Sequence, residues 1–299
     1  REEARAALAA LAAADPGCAH AWHTLGALAQ RDGDPEEAVR CFRRGATLGR
    51  AGPATAKCYA MWGLELATQR QVEAARALYR AGEEAAAGDA THLRHFALFE
   101  KKHGSPAVTR ELFRRAAEAD PMDTRTWLQW GLWERAQRET EAARRCFLRG
   151  LAASPVNSFC WQSLALLEAA DARPAEARDV FKKGTVKCAG DAALRMEWAL
   201  FEMREGDAAR ARELFQIGSG IVPPHAPLFE SWSLMERREG HLDAAEEVMR
   251  QLAAACESAE HPPPHCVPPG AEEDEEFDPR DEWPLSPEGD DLYGAPVEV

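Results

Sequence analysis

The sequence predicts an all-α protein built from repeated pairs of helices, and two observations lead to this prediction. The chain of 299 residues is 45% hydrophobic and rich in alanine, leucine, glutamate and arginine, which are strong helix formers. It also resembles itself at a period of 34 residues, a spacing typical of stacked helix pairs. Runs of β-branched residues are scarce, and every apolar run is far shorter than the roughly 18 residues that a membrane span needs.

Four positions of the repeat carry this periodicity. The first is a glutamate, at Glu100, Glu134, Glu168, Glu202 and Glu236. The second is a bulky apolar residue, at Trp62, Phe96, Trp130, Leu164, Trp198 and Trp232. The third is another bulky residue, at Tyr79, Phe113, Phe147, Phe181, Phe215 and Met249, and the fourth is an arginine, at Arg76, Arg110, Arg144, Arg178 and Arg212. We therefore interpret the chain as seven helix–turn–helix units that begin near residues 19, 56, 90, 124, 158, 192 and 226.

The spacing inside a unit indicates two helices joined by a turn. The first helix carries bulky residues at intervals of three, as at Trp127, Trp130 and Trp133, and a turn containing Gly or Asp often follows. The first two units are 37 residues apart, and we place the three extra residues in the segment GRAG at 49–52. Residues 1–16 match the second helix of a preceding unit, so we interpret the sequence as a fragment that has lost any targeting segment.

The composition predicts one folded domain followed by a tail. A single helix pair cannot bury its apolar face, whereas stacked pairs can, so residues 1–257 are expected to form one α-solenoid. Residues 258–299 are proline-rich and hold thirteen acids and one base, with too little apolar surface to offset the entropy of ordering. We predict a mostly disordered acidic tail there. The rest of the chain is nearly neutral, so the total charge of −14 does not exclude an anionic partner.

The unit at 124–157 resembles a tetratricopeptide repeat, or TPR. The matching residues are Trp127, Trp130, Gly131, Ala143, Phe147, Gly150 and Pro155. The glutamate column stands where TPR units usually have an aromatic residue, and the second helices contain the pairs Ala143-Arg144, Ala177-Arg178 and Ala211-Arg212. These two features resemble the half-a-TPR, or HAT, variant. The end units depart from it, because Ala29 and Leu66 replace the glutamate and Glu246 replaces the arginine.

The resemblance implies an α-solenoid and a role in RNA metabolism. HAT proteins include cleavage-stimulation and spliceosomal factors, ribosome-biogenesis proteins, and chloroplast proteins that stabilise and process transcripts. An array of simple 34-residue units is most similar to the chloroplast group. We therefore expect a chloroplast location, with the nucleus as the alternative.

The aromatic, glutamate and arginine columns each have two interpretations. The aromatic rings could stack on nucleic-acid bases, or they could pack between helices, which their location on one broad helix face favours. A buried glutamate could be catalytic, but no partner acid or metal accompanies it. A repeated glutamate with a repeated arginine more readily forms charge-assisted bonds between helices. We predict the pairs Glu100–Arg110, Glu134–Arg144, Glu168–Arg178 and Glu202–Arg212.

The first helices carry a candidate nucleic-acid interface. By the resemblance, the second, fifth, twelfth and thirteenth positions of each unit face the concave groove. The basic residues that we predict for this groove are Arg31, Lys57, Arg94, Lys101, Lys102, Arg125, Arg135, Arg204, Arg237 and Arg238, and His20 and His23 join them. A basic stripe of this kind is the electrostatic signature of nucleic-acid binding. The alternative is a solvated helix face that happens to be basic.

These observations lead to two hypotheses of function. The first is an RNA-processing or RNA-stabilising repeat protein that binds single-stranded RNA along its groove and protects or matures transcripts. The alternative is a protein-interaction scaffold of the TPR type that binds an acidic peptide or assembles a complex.

Enzymatic chemistry has little support in the sequence. No phosphate loop, GxSxG or HExxH motif occurs, so no enzyme activity, cofactor or small-molecule substrate is expected. His92 and His95 do not complete a zinc-ligand set, and no metal is expected. The eight cysteines are irregularly spaced without CxxC, so a disulfide framework is not expected either.

Overall fold

The computed structural model describes residues 2–258, which form fifteen helices and no strand. The all-α prediction is confirmed. The helices are α1 Glu2–Ala14, α2 Ala19–Arg31, α3 Pro35–Leu48, α4 Pro53–Thr68, α5 Val72–Ala85, α6 Ala90–His103, α7 Pro106–Ala119, α8 Thr124–Ala136, α9 Thr140–Ala153, α10 Ser158–Ala170, α11 Pro174–Lys187, α12 Ala192–Arg204, α13 Ala208–Ser219, α14 Ala226–Arg238 and α15 Leu242–Ser258. The predicted acidic tail, apart from Ser258, lies outside the described residues.

The chain forms two compact units, Arg1–Leu214 and Phe215–Val299, which we call the first and second units. The even-numbered helices α2 to α14 are the first helices of the seven predicted repeats. Six of them begin at the residue where the sequence places a repeat, but α4 begins at Pro53. α4 has 16 residues where α8 has 13, so the three extra residues extend this helix. Their predicted location in GRAG is therefore wrong.

Side-chain caps explain where many of the helices begin. Asp89, Asp123, Asn157 and Asp191 stand directly before α6, α8, α10 and α12, and each side chain accepts a backbone N–H of the first turn. These four residues are spaced at 34 like the other columns. Proline occupies the start of several helices, where its missing N–H costs nothing. The repeat thus encodes the beginnings of its helices as well as its core.

The first helices of the first unit commonly end in a left-handed turn. The residues with positive φ at this turn are Gly33, Arg70, Arg138, Ala172 and Gly206. At each turn the next amide donates back to a carbonyl five residues earlier, as from Glu139 N to Glu134 O at 2.9 Å. This pattern satisfies the carbonyls at the helix end. The left-handed residue recurs with the repeat, although only two of the five are glycine.

The core of the first unit is built from one bulky residue of each second helix. Phe42, Tyr79, Phe113, Phe147 and Phe181 are at most 2% exposed. Three of them pack against the aromatic residue of the following first helix, with ring centroids 5.3–6.4 Å apart, in Tyr79–Phe96, Phe113–Trp130 and Phe181–Trp198. Gly131 allows close packing within a hairpin, because a Cβ there would lie 2.5 Å from the ring of Phe147.

The second unit contains α14, α15 and the end of α13. Phe215 stacks on Trp232 with centroids 6.3 Å apart, and Trp232 Nε1 donates to Glu236 at 3.0 Å. Its turn is left-handed at Gly240.

Six cysteines of the described part are free thiols, and burial raises the pKa of Cys58, Cys146 and Cys160 to about 12. Cys256 is disulfide-bonded, which the sequence analysis did not predict.

Candidate functional site

The glutamate and arginine columns meet as a ladder of ion pairs in the first unit. Each glutamate lies near the end of a first helix and is at most 5% exposed. Each receives an arginine from the second helix of the preceding repeat. The Nε–Oε1 distances are 2.6 Å for Arg76–Glu100, 2.7 Å for Arg110–Glu134, 2.7 Å for Arg144–Glu168 and 3.1 Å for Arg178–Glu202. The two columns therefore join neighbouring repeats.

The predicted pairing within a repeat is wrong. The structure does not form Glu100–Arg110, Glu134–Arg144, Glu168–Arg178 or Glu202–Arg212, because each of these glutamates is held by an arginine 24 residues earlier. A repeat of 34 residues makes a partner 10 positions later and a partner 24 positions earlier equally periodic. The columns alone could not separate these two registers.

Aromatic side chains surround each ion pair. Trp130 Nε1 donates to Glu134 Oε1 at 2.8 Å, and the Arg110 guanidinium lies 5.2 Å from the centre of the Trp133 ring. Arg178 lies over Phe201 in the same way, at 5.6 Å. The indole of Trp127 stacks on that of Trp130 at 5.7 Å and donates to a backbone carbonyl. These rings make contacts within the protein, which favours the packing interpretation over base stacking.

The electrostatics of the ladder support a structural role. Hydrogen bonds to the glutamates raise the pKa of Arg76, Arg110 and Arg178. Paired with arginine, a buried carboxylate stays ionised and lacks the second acid or metal that acid–base chemistry needs. Among residues 2–258, no three His, Cys, Asp or Glu side chains cluster as a metal site would require.

The two histidines of α6 have structural surroundings. His92 is buried, and its ring nitrogens lie 3.1 Å from Ala56 O and 2.7 Å from Tyr79 O. Burial, together with the charges of Arg94 and other nearby basic groups, lowers the pKa of His95 to about 3. Both rings therefore pack within the hairpin stack.

Most of the predicted groove residues are exposed. These are Arg31, Lys57, Lys101, Lys102, Arg125 and Arg204 in the first unit and Arg237 and Arg238 in the second, while Arg135 is half-buried. Arg94 is the exception, because it is 8% exposed and its Nε lies 3.3 Å from Asp123 Oδ2. Its predicted role in phosphate contact is wrong, since Asp123, the cap of α8, already engages the guanidinium.

The middle of the first-helix face is apolar. We use this name for the second, fifth, ninth, twelfth and thirteenth positions of the first helices in the first unit. On α6, Phe96 and Phe99 pack against Tyr79, and at about 100° per residue Leu98 and Lys101 point the other way. The ninth position is a leucine in five successive repeats, at Leu64, Leu98, Leu132, Leu166 and Leu200. Sequence reasoning missed this column, although its period is plain in the sequence.

The basic stripe is interrupted at α10. This helix, SFCWQSLALLEAA, contains no basic residue. Its second position is Phe159, which is 53% exposed, and its ninth is the half-buried Leu166. On α12, burial raises the pKa of the Glu197 carboxyl, although Arg204 opposes this shift. The face is therefore basic over the second and third repeats and apolar over the fifth.

Comparison with known proteins supports the fold. No family model and no curated protein matches the sequence. A tetratricopeptide repeat protein from Parabacteroides merdae matches 80% of this chain and 92% of its own, with a TM-score of 0.52 and 16% identity. The fold of the chain is thus that of TPR proteins.

Two further solved structures are less similar. Pseudomonas aeruginosa pilF has a TM-score of 0.49 and 19% identity over 68% of this chain and 93% of its own. YrrB, described as a TPR protein with an unusual peptide-binding site, has a TM-score of 0.44 and 15% identity over 63% of this chain and 95% of its own. Neither the HAT subclass nor RNA metabolism is supported by these matches. Within residues 2–258, every helix is too short or too polar to cross a bilayer.

Proposed function

We propose that this protein is a non-catalytic protein-interaction scaffold whose first-helix face binds an extended peptide segment. The segment has acidic residues at one end and bulky apolar residues at the other. The observation that carries this proposal is the change along the face from basic helices to α10, which lacks basic residues and exposes Phe159. Repeat arrays offer long surfaces for such segments.

The basic end of the face suits a carboxylate-bearing peptide. Lys57 of α4 and Lys102 of α6 are both exposed. Rim charges of one sign steer an oppositely charged partner and select its orientation more than they add affinity. Acidic side chains over the second and third repeats would therefore set the direction of the segment.

The apolar end of the face suits the anchoring side chains. Phe159 is 53% exposed, and Leu132, Leu166 and Leu200 are half-buried beside or beyond it. Exposed aromatic residues next to apolar surface are the usual energetic centres of protein interfaces. We therefore assign most of the binding energy to repeats four to six.

RNA binding fits this face less well. An RNA strand presents a phosphate at each nucleotide, so a groove that follows it needs basic side chains along its length. The stripe loses Arg94 to Asp123 and has no basic residue on α10. Binding of single-stranded RNA becomes the contrary outcome of the test below, and the chloroplast location stays a prediction.

The test compares a short labelled peptide, acidic in its first half and rich in Leu and Phe in its second, with single-stranded poly(A) RNA. We expect fluorescence anisotropy to detect peptide binding by the full chain. The substitution Phe159→Ser and the double substitution Lys57→Glu with Lys102→Glu should each weaken it about tenfold, or about 1.4 kcal/mol. Both sets of side chains are exposed, so the fold should tolerate them.

Lys182→Glu provides the matched control, because Lys182 is exposed on α11, a second helix. It should leave peptide affinity unchanged. Tighter binding of poly(A) than of the peptide, with affinity falling steeply in salt and unaffected by Phe159→Ser, would overturn the proposal in favour of RNA. Equal weakening by Lys182→Glu would show non-specific attraction.

A further inference from the structure

The fifth repeat contains a cavity that its neighbours fill. This cavity has a volume of about 420 Å³ and lies among α9, α10 and α11 of the first unit. Its lining includes Leu148, Leu164, Glu168, Arg173, Glu176 and Val180. Its size is within the range of about 300–1,000 Å³ typical of ligand pockets. Leu164 is the member of the aromatic column that is not aromatic in repeats two to six.

The cavity occupies the place of the missing indole. In the fourth repeat, Trp130 lies in a groove with Arg114, Ala142, Arg145 and Cys146. The residues 34 positions later are Leu164 for Trp130 and, for the other four, Leu148, Glu176, Asp179 and Val180, all of which line the cavity. Repeat six agrees, because Arg210, equivalent to Glu176, lies 5.3 Å over the ring of Trp198.

The glutamate at this cavity lacks a donor that its counterparts have. Glu134 Oε1 accepts from Arg110 Nε and from Trp130 Nε1, at 2.7 and 2.8 Å. Glu202 Oε1 likewise accepts from an arginine and from Trp198 Nε1 at 2.9 Å. Within the described residues, Glu168 Oε1 accepts only from Arg144 Nε. An indole in the cavity would have an acceptor for its N–H already in place.

A second polar group at the cavity also lacks a partner. The Arg173 Nε is buried and has no hydrogen-bond partner within the described residues, although its Nη2 binds Glu168 at 2.8 Å. A free indole carries no acceptor oxygen, whereas a tryptophan in a polypeptide brings backbone carbonyls. The exposed Glu176 at the rim would favour a basic residue beside that tryptophan.

We propose that the cavity at Leu164 and Glu168 is a binding site for the indole ring of a tryptophan presented by a partner polypeptide. The ring takes the place that Trp130 and Trp198 hold in their own repeats, its N–H donates to Glu168, and Glu176 attracts an adjacent basic side chain. This site lies among α9, α10 and α11 and does not depend on the peptide segment proposed for the first-helix face.

The test uses two labelled peptides that differ only in a central residue, tryptophan or leucine, flanked by lysines. We expect the full chain to bind the tryptophan peptide at least about tenfold more tightly, as for a buried aromatic anchor. Leu164→Trp fills the cavity with the protein's own indole. It should abolish this preference and raise the melting temperature. Free tryptamine should compete weakly, which separates the ring from the polypeptide that carries it.

Leu148→Arg gives a second blocking variant that does not depend on repacking. Leu148 is 51% exposed, and Arg114 shows that the equivalent position accepts arginine. Val186→Arg is the matched control, because Val186 is 73% exposed on α11 outside the lining. Undiminished binding of the tryptophan peptide by both blocking variants, or equal affinity for the two peptides, would overturn the proposal. Loss of first-helix binding through Phe159→Ser would leave it standing.

Discussion

At the scale of residues, the ion pair of Arg110 and Glu134 is asymmetric. The glutamate side chain is 1% exposed, whereas that of the arginine is 45% exposed. If the arginine is removed, an ionised carboxylate stays in the protein interior, where an unpaired charge is costly. If the glutamate charge is removed, the guanidinium can turn to water. The two halves of the pair should therefore differ in their mutational cost.

Arg110→Met should destabilise the protein by on the order of 3 kcal/mol, because it retains the apolar stem over Trp133 and leaves the buried carboxylate unpaired. Glu134→Gln should cost less, since its amide oxygen can still accept from Trp130 Nε1. Urea unfolding followed by circular dichroism measures both. A larger loss for Glu134→Gln would contradict the asymmetry.

At the scale of elements, the left-handed turn after each first helix is a point of strain. Ala172 has φ of 55° between α10 and α11, and the equivalent residue one repeat later is Gly206 with φ of 86°. A side chain in this conformation costs about 1–2 kcal/mol relative to glycine. The same hydrogen-bonding turn is thus made at different energetic cost in successive repeats.

Ala172→Gly should stabilise the protein by about 1 kcal/mol, because the relief of strain exceeds the entropy that glycine loses on folding. Thermal melting at neutral pH measures the change. Gly206→Ala is the mirror control and should lower stability by a similar amount. If both substitutions were neutral, the turn would not be strained at these positions.

Most of the helical elements could be predicted from the sequence. The starts of six first helices coincide with the 34-residue period because caps such as Asp89 and Asp123 recur with it. The extra turn of α4 could not be located, since "PAT" at 53–55 is as compatible with a loop as with a helix that begins at proline. Local propensity does not decide between these two once tertiary packing contributes.

At the scale of the whole molecule, the ladder makes neighbouring repeats of the first unit depend on each other. In stacked repeats, stability is approximately a sum of repeat terms and nearest-neighbour interface terms. Arg110 is on α7 and Glu134 on α8, so their bond is an interface term. Weakening it should reduce cooperativity as well as stability.

Glu134→Gln should therefore lower the slope of the urea transition in addition to its midpoint, because the parts on either side of α7 and α8 can then unfold separately. Glu141→Gln is the matched control. It removes an ion pair with Arg144 whose glutamate side chain is 73% exposed, and should leave the slope unchanged. A lower midpoint with an unaltered slope for Glu134→Gln would contradict interface coupling.

The candidate sites were only partly predictable. The exposed lysines of the first-helix face follow from helical periodicity, but the burial of Arg94 depends on Asp123, 29 residues away, which no local pattern reveals. Leu164 was visible as a member of the aromatic column. That a smaller residue leaves a cavity there, rather than letting its neighbours close in, is decided by packing in three dimensions.

The register of the ladder also gives the array a direction of growth. Each arginine reaches forward to the next repeat, so a new repeat added after the last finds a guanidinium waiting, whereas one lost from the front strands a carboxylate. Where the ladder is absent, both positions change together: at the junction of the first two repeats they are Val39 and Leu66. A gene that lengthens or shortens such a protein by whole repeats would thus do so with least harm at the carboxyl end.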